Sequence, residues 1–231
     1  MCARNAAPPQ TTRVFHVKHR PTQDHSITNG VSRETLAALE KLAALLARWN
    51  RTVNLVAAGD EALLWDRHIA DSLQLVPWVC CAAAPQGAFP DRAIDLGSGA
   101  GFPGLVLAIA TGVPFDLVEA DQRKAAFLRE AARQTGAPVR VHPVRIEAAA
   151  IAPAPLVTAR ALAPLPKLLA LAAPLLASGG TCLFPKGANV QAELTEAAPQ
   201  WHMRVEMIPS RTSPGACILR ITDLSRVASA A

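Results

Sequence analysis

The stretch Ala93-Ile94-Asp95-Leu96-Gly97-Ser98-Gly99-Ala100-Gly101-Phe102-Pro103-Gly104 decides the fold class of this chain. A short strand-like run ends in a glycine cluster, and a helical stretch over about 102–111 follows. Glycines let the chain turn tightly and let a ligand approach the backbone. A strand, a glycine loop and a helix in that order form the first unit of a doubly wound sheet. Such sheets bind nucleotides at the carboxyl ends of their strands.

Working outward, the same rhythm continues. Strands are expected at Ala93–Leu96, Phe115–Glu119, Val139–His142, Leu156–Ala159 and Thr181–Phe184. Helical stretches at about 121–135, 164–177 and 188–197 separate them. Alternation at these lengths predicts a parallel α/β sheet. Two further strands, His202–Ile208 and Ala216–Thr222, flank the Pro- and Gly-bearing segment Pro209–Gly215, so an antiparallel strand is expected near one edge. That makes seven strands, in one domain over 86–225. Upstream, Leu36, Leu39, Leu42, Leu46 and Trp49 recur at helical spacing behind Ser32, an N-cap residue. Leu64, Ile69, Leu73 and Val76 mark a second helical region over about 60–79. Residues 31–85 therefore read as a helical N-terminal cap, and 1–30, with Arg4, Arg13, Lys18 and Arg20, as a flexible basic tail.

Composition bounds the rest. The chain has 231 residues, 51% hydrophobic and 18% charged, which excludes a disordered chain and fits one domain. Its net charge of +5 comes mostly from arginine, and tyrosine is absent. A modest basic excess suits a polyanionic partner without naming one. The cysteines (Cys2, Cys80, Cys81, Cys182, Cys217) form no CxxC pair, so no metal or redox motif is expected. Their odd number favours a reducing compartment. The uncharged stretches Ser72–Pro90 and Leu168–Pro185 are broken by Pro and Gly, short of the about 20 apolar residues of a membrane span. No membrane association and a cytoplasmic address are expected.

Which nucleotide does the loop bind? A dinucleotide fingerprint starting at Gly97 needs glycine at 102, where Phe102 stands. The offset frame Gly99-x-Gly101-x-x-Gly104 matches by letter, so an NAD(P)-dependent oxidoreductase stays open. Glu119, at the end of the second strand, is placed to accept hydrogen bonds from ribose hydroxyls in either cofactor class. Asp121 reads as the cap of the next helix.

The run Asp95-x-Gly97-x-Gly99-x-Gly101 resembles the first motif of S-adenosylmethionine-dependent methyltransferases. Further pieces resemble one family among them, the RsmG (GidB) enzymes that methylate guanine N7 in 16S rRNA. These are Trp49–Leu55, Arg67-His68-Ile69-Ala70-Asp71-Ser72-Leu73, Asp95–Gly104, Arg123–Leu128, Arg145-Ile146-Glu147, Thr158-Ala159-Arg160-Ala161 and Lys186-Gly187, in the family's order over roughly 31–222. The resemblance implies a Rossmann-like fold and S-adenosyl-L-methionine as cofactor. It implies a 530-loop guanine as target, in 16S rRNA or a 30S subunit precursor. It further implies that Gly97, Gly99, Gly101 and Phe102 line the cofactor, with Glu119 at the ribose. Ile146 and Glu147 would sit beside the adenine, and Arg160 near the methyl donor. One departure is the run Pro153–Val157, which lacks the family's usual acid before the fourth strand.

The chemistry agrees with such a target. Guanine N7 carries a lone pair and no proton, so the enzyme needs alignment and no general base. The chain has no Asn/Asp-Pro-Pro-aromatic motif of amine methylation and no Pro-Cys nucleophile for cytosine C5. Arg160 and Lys186 are the expected positioning residues. Arg123, Lys124, Arg145, Arg160 and Lys186 are the expected RNA contacts. Phe102 and Phe184 are the aromatics available for base stacking, with Phe184 the better core residue. His68 and Asp71 share a helix face at i, i+3. They read first as a buried tie between cap and sheet, and second as site residues. A monomer is expected. A non-catalytic RNA-binding module on the same fold is the remaining alternative.

Overall fold

A computed structural model describes residues 18–19, 31–57, 60, 63–80 and 89–228. Its sheet runs β1 (Lys18–His19), β2 (Ala93–Leu96), β3 (Phe115–Val118), β4 (Val139–His142), β5 (Ala154–Ala159), β6 (Leu176–Lys186), β7 (Trp201–Pro209) and β8 (Cys217–Arg226). The helices are α1 (Arg33–Trp49), α2 (Asp71–Leu73), α3 (Val76–Val79), α4 (Gly104–Thr111), α5 (Gln122–Thr135), α6 (Leu165–Ala172) and α7 (Val190–Ala197). The spatial order is β1-β7-β8-β6-β5-β2-β3-β4. Strands β2 to β6 are mutually parallel, and β8 runs antiparallel to both β6 and β7. The order reverses between β2 and β5. That switch point opens a crevice at the end of β2, where the glycine loop lies.

The seven expected strands are all present, and the antiparallel return is β8. Lys18–His19 adds an eighth, two-residue strand parallel to β7, inside the segment read as tail. The rest of that segment lies outside the described residues. Strand β6 extends beyond Thr181–Phe184 at both ends: Leu176 pairs with Ala154 of β5, and Pro185 and Lys186 pair with Ile218 and Cys217 of β8. Only the partner strands fix those extensions. The region 60–79 is not one continuous helix. It is a π-helical turn, Trp65–Ala70, followed by α2 and α3. Pro77 falls in the first turn of α3, where its missing N–H costs no hydrogen bond.

Sequence accounts for the helix ends. Ser32 accepts from Thr35 N, and Asp121 accepts from Arg123 N and Lys124 N, so both act as N-caps. Gly112 and Gly136 end α4 and α5 in the left-handed conformation. Asn50 Oδ1 accepts from Leu55 N and Val56 N, fixing the turn after α1.

The cap has no core of its own. Leu39, Leu42 and Leu46 of α1 belong to one buried cluster with Leu105 and Leu107 of α4, Phe127 of α5 and Phe115 of β3. Trp49 meets Phe127 edge-to-face at 5.8 Å. The opposite face of the sheet is covered by α6 and α7 through Leu165, Leu168, Leu169 and Leu194. Replacement of the fully buried Phe127 by Ala is expected to cost about 3–5 kcal/mol. Urea denaturation should remain one transition, followed equally by cap and sheet probes. A separate early transition of the cap would contradict the shared core.

Candidate active site

The site begins at the carboxyl end of β2. Asp95 is fully buried, and Thr158 of β5 donates to its Oδ1 at 2.6 Å. Its Oδ2 has no hydrogen-bond partner. Burial pushes the carboxyl up to about 6, opposed in part by the Thr158 hydroxyl. The loop above it needs its glycines for different reasons. Gly97 (φ +63°) faces Leu162, whose Cδ1 would lie 2.6 Å from a Cβ. Gly101 (φ +92°) is hemmed in by Leu105 and Leu128. A Cβ at Gly104 would strike the Asp95 side chain, so α4 starts pressed against that carboxylate.

Gly99 differs. A Cβ there would meet only the Gly97 carbonyl, at 3.8 Å, so the space above the loop is open. Glu119 frames this space from the end of β3. Its Oε2 accepts from Gly99 N and its Oε1 from Asp121 N, each at 2.8 Å. A carboxylate has about four lone-pair sites, so two remain for the ribose hydroxyls expected of it. The short helical turn Ile146–Ala148 follows β4, with Ile146 half-buried and Glu147 exposed. The open cradle, the remaining Glu119 lone pairs and the orphaned Asp95 oxygen together fit an adenosine cofactor with a cationic end.

Arg160, just past β5, is the second centre. Its Nη1 donates to Asp71 Oδ2 and to the Arg67 carbonyl, each at 3.1 Å, and its Nη2 lies 2.9 Å from His68 Nδ1. Its guanidinium sits 5.1 Å from the centroid of the Phe102 ring, and His68 stacks on that ring at 5.1 Å and 18°. Arginine has no acceptor atom, so this contact makes His68 Nδ1 the acceptor and puts the ring proton on Nε2. Burial and the neighbouring Arg160 hold His68 below its ordinary value, which keeps it neutral. His68 and Asp71 therefore tie the cap to the end of β5 through Arg160, the first of the two expected readings.

Phe102 is 5% exposed, covered by this cluster, and Phe184 is fully buried in the core. Neither offers a free face, which corrects the expectation that Phe102 is available for stacking. The sequence around the loop holds no sign of the histidine that covers it.

A cavity of about 760 Å³ opens beside Arg160. It is lined by residues 160–164, by Pro185, Lys186 and Gly187, and by the turn after β7. Leu162 forms part of its wall and also packs on Gly97, so one side chain separates cavity and loop. Lys186 donates to the Ala163 carbonyl at 3.0 Å and pairs with Glu193 at 2.6 Å. Its side chain is largely covered, so it braces the cavity and presents little free charge. Arg123 and Arg145 are exposed, and Lys124 is half-buried at the start of α5. The cavity also contains residues that the motifs did not flag: Asp60, Gln74, Glu193, Ser210 and Thr212. Gln74 stands three residues after Asp71 and was legible as a neighbour on its face. The others join the site only through tertiary contacts.

Comparison with known proteins agrees with this geometry. The family model described as rRNA small subunit methyltransferase G (GidB) matches residues 35–214. The Ribosomal RNA small subunit methyltransferase G of Granulibacter bethesdensis is 58% identical over 86% of this chain and 90% of its own length. That of Gluconobacter oxydans is 55% identical, over 85% and 98%. Among solved structures, the N-methyltransferase NodS from Bradyrhizobium japonicum, in complex with S-adenosyl-L-homocysteine, aligns with a TM-score of 0.53. It shares 12% identity, over 84% of this chain and 98% of that one. MtNAS in complex with S-adenosylmethionine gives 0.55 at 14% identity, over 81% and 72%. These likenesses show a Rossmann-like fold. With the match spanning cap, loop and hairpin alike, the chain belongs to the rRNA small subunit methyltransferase G family.

Proposed function

We propose that this protein transfers a methyl group from S-adenosyl-L-methionine to N7 of a guanine in 16S rRNA, acting as a cytoplasmic monomer on the bare RNA or a 30S precursor. The observation that carries this reading is the arrangement at the carboxyl ends of β2, β3 and β5. An open glycine cradle framed by Glu119 stands next to a cavity walled by Arg160 and Leu162. When bound, the cofactor would supply an electrophilic methyl on a sulfonium. Gly97, Gly99, Gly101 and Glu119 would hold it, with Ile146 and Glu147 beside the adenine and Asp95 adding negative charge beneath the loop.

The protein's own part is alignment. The titratable groups around Arg160 are already engaged: His68 Nδ1 faces Arg160, and Asp71 accepts from Arg160, Gln74 and Thr212. No free general base lies among them, as suits a nucleophile that carries no proton. Fixing two reactants in attack geometry supplies several kcal/mol by itself. Methylated guanine is cationic, and among the lining residues each cation is paired with a carboxylate (Arg67–Asp60, Arg160–Asp71, Lys186–Glu193), so no unpaired positive charge opposes it there. Arg123, Lys124 and Arg145 are proposed to meet RNA phosphates. Arg160 and Lys186 are proposed to shape the cavity where the base enters.

Isothermal titration with S-adenosylhomocysteine and with NAD tests the cofactor class. Binding of the first and not the second is expected; binding of NAD alone would overturn the reading. Arg160→Lys keeps the charge and loses the planar fork that reaches Asp71, Arg67 and His68 together. Its methylation rate on 16S rRNA should fall by about 10²-fold, the scale set by misplacing a reactant by an ångström. Cofactor affinity should change much less. An unchanged rate would contradict the alignment role.

The Asp95 carboxyl gives a pH test. With its value raised to about 6, Asp95 is largely protonated at pH 5 and ionised at pH 7.5. A cationic ligand favours the ionised form, so S-adenosylmethionine affinity should rise through that window. Asp95→Asn should flatten the rise, whereas a wild-type affinity independent of pH would contradict this role.

A further inference from the structure

The turn between β7 and β8 is held far more firmly than a hairpin connection requires, and this points to a use that none of the motifs marks. Gln74 of the cap is 4% exposed; its Nε2 donates to Asp71 Oδ1 at 2.7 Å, and both ends of its amide also reach this turn. Its Oε1 accepts from Arg211 N at 2.9 Å, and its Nε2 lies 3.1 Å from Thr212 Oγ1 and 3.3 Å from Ser210 Oγ. Thr212 Oγ1 in turn donates to Asp71 Oδ1 at 2.6 Å, and Ser210 Oγ accepts from Thr212 N and Ser213 N. Ser210, Thr212 and Ser213 face the cavity. Arg211 lies between them, pinned by its own backbone N–H, with an exposed side chain. Among the described residues its guanidinium has no partner.

A charged side chain on a loose hairpin tip would lose much of any binding gain to ordering. Here the backbone beneath it is already fixed, so only the side chain itself is ordered on binding. Arg67 also lines the cavity. It is largely exposed and bonded to Asp60 at 2.6 Å through one guanidinium nitrogen, which leaves its other donors available. Arginine forks match phosphate geometry, and phosphates flank any base drawn into such a cavity.

We propose that the β7–β8 turn is an RNA-docking element, in which Arg211 contacts a backbone phosphate next to the target base while Gln74 holds the turn in place. The inference rests on the proposed RNA-methylating function. It adds a contact outside the motif-derived set Arg123, Lys124 and Arg145.

The test measures binding of unmodified 16S rRNA across a salt series for the wild type, Arg211→Gln and Arg33→Gln. Arg33 opens α1 and does not line the cavity, so it serves as the charge control. Arg211→Gln is expected to weaken binding about fivefold and to reduce the slope of log affinity against log salt by about 0.7–0.9, one phosphate contact. Arg33→Gln should do neither, and S-adenosylhomocysteine affinity should be unchanged in both variants. In a Gln74→Leu background the further loss from Arg211→Gln should shrink, because the turn is no longer held. A wild-type slope in Arg211→Gln, or an equal loss in Arg33→Gln, overturns the docking role alone. A wild-type protein that binds the cofactor but neither binds nor methylates the RNA overturns the RNA reading and, with it, this proposal.

Discussion

One guanidinium, that of Arg160, joins the parts of this protein. It leaves the end of β5, reaches the π-helical turn of the cap, and lies over the ring that follows the glycine loop. A charge so covered is tolerable only when its donors are satisfied, and here Asp71, the Arg67 carbonyl and His68 satisfy them. Breaking such a pair from one side typically costs about 3–5 kcal/mol, because the remaining charge stays buried. The cap, the loop and the sheet are thereby fixed relative to one another beside the cavity.

The same logic extends through Asp71. It accepts from Arg160 with one oxygen and from Gln74 and Thr212 with the other, so the β7–β8 turn is registered to the same ion pair. Asp95, by contrast, stays partly unsatisfied beneath the loop. A native structure rarely leaves a buried carboxylate oxygen without a partner unless a ligand or a function uses it. One carboxylate serves the frame, and the other lies buried beneath the glycine loop.

How much of this was legible in the chain depends on the range of the interaction. Strands β2 to β5 announce themselves because each is a short apolar run between helical stretches, and the loop because its glycines alternate behind Asp95. Helix caps such as Ser32 and Asp121 are local and were readable too. The two ends of β6 were not, since Leu176 pairs with Ala154 of β5, and Pro185 and Lys186 pair with β8. The Phe102 ring looked available for a base because nothing near it in sequence reveals His68, 34 positions earlier, lying on its face. The tie from Gln74 to Ser210 and Thr212 spans well over a hundred residues and left no local signal. His68 and Asp71 were visible as a pair, but their partner Arg160 lies 92 and 89 positions away and left no local signal beside them.

The +5 charge, too small to name a partner from composition, is distributed to a purpose in this account. Arg160 and Lys186 are enclosed and paired, while Arg67, Arg123, Lys124, Arg145 and Arg211 remain at the surface. The most direct test of the central claim is mass-spectrometric mapping of 16S rRNA methylation in a strain lacking this protein, with and without the wild-type chain restored. The account predicts that one guanine N7 methyl group disappears on deletion and returns with the wild type. An identical methylation pattern in the deletion strain would contradict it.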